Sequence, residues 1–195
     1  DMAKTKTNTT TDSFEPDELV ALARLDMDRG NVEAALGKLK QVLATADPLP
    51  EAQTMAARIY AQLGLFDRAR AHYQFYLQAN PEAVTEKFQF GMTHFDSGQP
   101  NEALKVWEGL LKEFPTHPPA LFYKALALAQ QGKVSDAQQT LDILMKSAPA
   151  DNLYFGRGKE LLQTINSGQI TPAIKTDAGK HVASLISQDA YKTEH

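Results

Sequence analysis

Four glycines, Gly30, Gly64, Gly98 and Gly132, stand 34 residues apart, and four further classes of residue keep the same step. Five positions after each glycine comes Ala35, Ala69, Ala103 or Ala137, and nine after it comes Leu39, Tyr73, Trp107 or Leu141. Thirteen after it comes Leu43, Leu77, Leu111 or Met145. Pro81, Pro115 and Pro149 close the last three units, while the first closes one residue late, at Pro48. A period this regular restricts the chain to an array of one supersecondary unit, because each copy must bury its apolar face against the next. Within a unit the apolar spacing is helical on both sides of the glycine: Ala56, Ile59, Tyr60 and Leu63 before Gly64, and Ala69, Tyr73, Tyr76 and Leu77 after it. The unit is therefore two amphipathic helices. The glycine supplies the left-handed turn between them, the alanine lets them approach, and the proline ends the second.

The stretch "YAQLGLFDRARAHYQFYLQANP" resembles the tetratricopeptide repeat (TPR) family, whose pattern has the same length, glycine, alanine, aromatic and closing proline. The resemblance implies an all-α fold, a right-handed superhelix of antiparallel helix pairs. The units are 16–49, 50–83, 84–117 and 118–151. The tryptophan expected early in the first helix is replaced by Leu19, Gln53, Lys87 and Leu121, and the tyrosine by Asp26 in the first unit and His94 in the third. Residues 152–166, with Leu153, Leu161, Leu162 and Ile165, read as a capping helix whose glycines 156 and 158 are expected to disrupt it. Residues 1–15 are expected to be a flexible segment, since their threonine-rich opening has little apolar surface to bury. Residues 167–195 read as a linker and tail. Within them, 181–191 carries Val182, Leu185 and Ile186 on one face, as a marginal helix or a docking segment.

Composition closes several functions. A net charge of −4 argues against a general nucleic-acid surface, and the absence of cysteine removes thiolate catalysis and cysteine-ligated metal. The longest apolar runs, such as "ALALA" at 125–129, fall far short of a membrane span, so no direct membrane insertion is expected. Among His72, His94, His117, His181 and His195 no pair has metal-ligand spacing, and "GRGK" at 156–159 lacks the spacing of a phosphate loop. Neither catalysis, cofactor nor metal is expected. The reading is of a bacterial-style module, cytoplasmic or, if a leader or anchor has been removed, periplasmic.

Stacked helical hairpins bind. By resemblance, the first helix of each repeat lines a concave face, and the partner-binding candidates there are Arg24, Met27, Arg58, Phe88, Met92, Phe95, Phe122 and Leu126. The N-terminal half of that face is polar and the C-terminal half apolar. A helix such as "EKFQFGMTHFDS" is apolar on two faces, with Phe90 for the core and Phe88, Met92 and Phe95 elsewhere, so something must cover the second. Three readings stay open: packing between adjacent first helices, a groove for a partner's peptide or helix with Arg24 and Arg58 as orienting charges, or a groove that takes the chain's own segment 181–191, folded back as a lid or docked from a neighbouring molecule. The alternative function is a scaffold that self-assembles through repeat edges or through residues 181–191. The two-carboxylate clamp of chaperone-binding relatives is absent, the comparable positions including Val20, Arg24, Met55, Thr85 and Gln89.

Overall fold

A computed structural model describes residues 13–169, and among these all regular structure is helical. The helices are α1 (Pro16–Asp28), α2 (Val32–Leu43), α3 (Pro50–Gln62), α4 (Phe66–Ala79), α5 (Val84–Asp96), α6 (Pro100–Glu113), α7 (Pro118–Gln130), α8 (Val134–Ser147) and α9 (Leu153–Asn166). Two compact units divide at Ala56 and Ala57, inside α3. The expected tail helix 181–191, with most of the opening segment and of the linker, lies outside the described residues.

The turn between paired helices has one physical form. Gly30, Gly64, Gly98 and Gly132 have φ between 72° and 78°, the left-handed region that glycine occupies without steric cost. Behind each, two backbone bonds close the helix end: Gly30 N–H to the Met27 carbonyl (3.0 Å) and Asn31 N–H to Asp26 (2.7 Å), with matching pairs at the other three. Gly168 ends α9 in the same way, with φ 71°. The second helices begin at Val32, Phe66, Pro100 and Val134, two residues after the glycine. They end two residues before Pro81, Pro115 and Pro149, where the preceding Asn80, Phe114 and Ala148 have left the helical region.

In the N-terminal unit Leu19, Val20, Ala23, Ala35, Leu39 and Val42 form the core of the α1–α2 pair. Asp26, an irregular residue in the repeat, is held by Lys38, whose Nζ donates to its carboxylate at 2.6 Å. The equivalent positions one repeat later are Tyr60 and His72, and there the same contact is a ring stack with centroids 5.4 Å apart. One structural place is thus filled by two chemistries. The change at Asp26 came with its partner.

In the C-terminal unit Ala69, Ala103 and Ala137 are fully buried, as Ala35 is in the first, and each lets a second helix lie close. Arg70 ties α4 to the end of α5 by donating to the Thr93 carbonyl (3.0 Å) and to Ser97 Oγ (2.9 Å). The third repeat carries the largest departure: Trp107 stands where its counterparts are Leu39, Tyr73 and Leu141, and it is completely buried. Space for it comes from Gly91, whose counterparts are Ala23, Ala57 and Ala125. A Cβ on Gly91 would stand 2.2 Å from the indole nitrogen. The indole Nε1–H donates instead to the Phe88 carbonyl (3.2 Å), which satisfies a buried polar group.

Helix α9 packs on α7 and α8 and buries Tyr154, Gly158, Leu161 and Ile165. Its glycines do not disrupt it, against the sequence expectation. Gly158 is there for clearance: a Cβ would come within 2.7 Å of Leu144 and 2.9 Å of Met145. Its exposed residues Lys159, Glu160, Gln163 and Asn166 are polar, while Leu153 at its start is also exposed.

Gly91→Ala is expected to destabilise the protein by about 1–3 kcal/mol through overpacking. Combining it with Trp107→Leu, the pair found at Ala125 and Leu141, is expected to recover part of that loss relative to the sum of the single changes. Urea unfolding of the four proteins checks this; strictly additive effects would show that the two residues do not share one space.

Candidate functional site

The first-helix face of the C-terminal unit is built by the end of α3, by α5 and by α7. Of its apolar candidates, Phe88 is 4% exposed, Met92 0%, Phe122 2% and Leu126 4%. The protein covers them itself. Phe88 lies among Trp107 (6.1 Å), His117 (5.8 Å) and Tyr123 (5.6 Å), and Phe122 among Tyr123 (5.2 Å) and Tyr154 of α9 (5.9 Å). For these four the packing reading accounts for the second apolar face, and a partner could reach them only if helices moved. Phe95 is half-buried, with its ring 5.7 Å from Trp107 and 6.1 Å from Tyr123. Phe90 is also half-buried, edge-on to His94 at 5.0 Å.

Polar groups dominate what remains open. Gln62, Thr85 and Gln130 are exposed at the face positions of α3, α5 and α7, and Arg58 and Asp96 are partly exposed. Arg58 makes no ion pair among the described residues, and its Nε is buried without a hydrogen-bond partner there. The Tyr73 hydroxyl is in the same condition. The two are electrostatic neighbours: burial pushes the Tyr73 phenol well above its ordinary value, Arg58 pulls it down, and Glu86 raises it. In the N-terminal unit Met27 is half-buried, and Arg24 is engaged by Glu51 in an exposed ion pair. Arg24 is thus already answered by a carboxylate.

Sequence reasoning missed Tyr123 and Trp107 as the residues that fill this face. Gly91 was the available signal, because a glycine inside a helix where every equivalent is alanine marks a neighbour of unusual size.

Among the described residues no group of three or more His, Asp or Glu side chains is placed to hold a metal ion. Nor is any described helix long and apolar enough to cross a membrane. His72 and His117 are the perturbed bases, both held below the ordinary histidine value by burial. His117 caps α7: its Nδ1 accepts from Ala120 N–H at 3.3 Å, which requires an unprotonated nitrogen at the positive end of the helix dipole.

Two family models, both described as tetratricopeptide repeat, match residues 20–84 and 94–156, together about two thirds of the chain. A curated relative, the cellulose synthase operon protein C of Pseudomonas fluorescens, is 32% identical over 88 residues, which is 45% of this chain but only 7% of that protein. Among solved structures, a tetratricopeptide repeat protein from Parabacteroides merdae superposes with a TM-score of 0.67 at 21% identity, over 89% of this chain and 66% of that one. MamA from Desulfovibrio magneticus superposes with a TM-score of 0.68 at 18% identity, over 89% of this chain and 92% of that one. At these identities the structures establish the fold.

Because His72 and His117 are depressed in the folded state, the folded protein resists taking up their protons. Their contribution to stability is complete above the unfolded value near 6.5 and is lost as pH falls below it. The melting temperature is expected to drop between about pH 7 and pH 5. His117→Asn, which keeps a capping acceptor without a titrating ring, is expected to flatten that decline; an unchanged slope would remove His117 from the account.

Proposed function

The chain belongs to the tetratricopeptide repeat family, and from that premise we propose that it holds a segment of a partner protein on the first-helix face of residues 57–130, without catalysis. A family of this kind supplies a protein-interaction or scaffold module. The finer reading is that the partner is held by polar contacts centred on Arg58, with the open edge of Phe95 giving apolar contact. The observation that carries it is Arg58 itself: a partly exposed cation with no ion pair among the described residues, on a face whose large apolar residues are otherwise consumed by packing. A carboxylate or main-chain carbonyl of a partner would complete that group with a charge-assisted hydrogen bond, worth more than a neutral one. Thr85 and Gln62 stand exposed on the same face and suit an extended backbone, which needs donors and acceptors along its length.

The apolar anchor pair Phe88 and Phe122 is a poor probe of this reading, since an aspartate at either place would be buried in the aromatic core and unfold it. Arg58 is the better one. In paired captures from a lysate of the source organism, the native chain is expected to retain a partner that the Arg58→Glu variant loses, with both proteins showing the same helical circular dichroism. Equal retention by the two would overturn the assignment of the face.

A second reading, self-assembly, is favoured by a separate observation at α1.

A further inference from the structure

Helix α1 leaves open a face that the later first helices bury. At the sixth and tenth places of the repeat, α3 has Met55 and Ile59 and α7 has Tyr123 and Ala127, all completely buried. The same places on α1 are Ala21 and Leu25, and both are exposed, Leu25 at 49%. Phe14, just before the helix, is 51% exposed. These positions normally receive the preceding repeat, so α1 presents an apolar strip shaped for another helix. Around the strip the charge is mainly acidic: Glu15, Asp17, Glu18 and Asp28 are exposed, against Arg29 and an Arg24 already paired with Glu51.

One part of this chain has the complementary chemistry. Residues 180–191, "KHVASLISQDAY", carry Val182, Leu185 and Ile186 at the spacing of a single helix face, with Lys180 and His181 before them and Asp189 after. The neighbouring α9 gives that strip little to cover, because its exposed residues are mostly polar. Ten residues, 170–179, separate Gln169 from this segment, and the join spans roughly 38 Å when extended. We propose that residues 180–191 of one molecule dock on the Ala21–Leu25 strip of a second copy, joining molecules head to tail. Such a contact uses different surfaces on the two partners, so it propagates unless the rotation between copies closes a ring. It does not depend on Arg58 or on the face it serves.

The test uses the full chain and two substitutions on exposed or tail positions, Leu25→Asp and Leu185→Asp. By light scattering, the native chain is expected to gain mass with concentration, and each variant alone to associate about tenfold or more weakly. Mixing the two variants is the decisive arm. One keeps an intact tail and the other an intact α1, so together they are expected to form a heterodimer and nothing larger. A native chain that stays monomeric at every concentration, a single variant that assembles like the native chain, or a mixture that stays monomeric would each overturn the proposal. A monomeric native chain is also what a tail covering α1 of its own molecule would give.

Discussion

The indole of Trp107 rests against the bare backbone of Gly91, and the arrangement of the C-terminal unit follows from that contact. A methyl group at residue 91 would occupy the position of the ring, so α6 can seat its tryptophan only because α5 has no side chain there. With Trp107 in place, its ring meets Phe88, Phe95 and Tyr123, and Tyr123 in turn meets Phe122 and Tyr154. Aromatic contacts of this kind add about 0.5–1.5 kcal/mol per pair beyond area burial. The chain of rings joins α5, α6, α7 and α9. It also consumes the apolar residues that would otherwise have lined a groove.

The period made the architecture legible. Turn glycines, close-approach alanines and terminating prolines act through backbone conformation and size, which are local properties, so a single sequence displays them. The site was less legible because it depends on pairs. Arg24 looks like a free cation until Glu51, 27 residues away, is found beside it. Phe88 looks like an anchor until Trp107 and Tyr123 are seen to cover it. Gly158 looks like a helix breaker until Leu144 and Met145 are seen to need its room. In each case the missing fact was a neighbour in space, which periodicity does not supply.

A polar face around Arg58 and an apolar strip at α1 ask for different partners. The first fits an acidic or extended segment and depends on hydrogen bonds, so its selectivity comes from geometry more than from area. The second is an apolar helix face with acidic residues around it, suited to the apolar face of another helix. A module with both could hold a client and a copy of itself at once, because the two sets of residues do not overlap.

The ring cluster also sets where the fold opens first. In a linear array, each repeat is held by its own core and by its immediate neighbours, so local opening costs least where those contacts are fewest. The rings are concentrated in α5 to α7 and α9, while among the described residues α1 exposes Ala21 and Leu25 on one face and has a core of small and aliphatic residues. Backbone amides of α1 are therefore expected to exchange with solvent ahead of those of α5 and α7. On the same ground the helices built around the bare backbone of Gly91 are expected to open last.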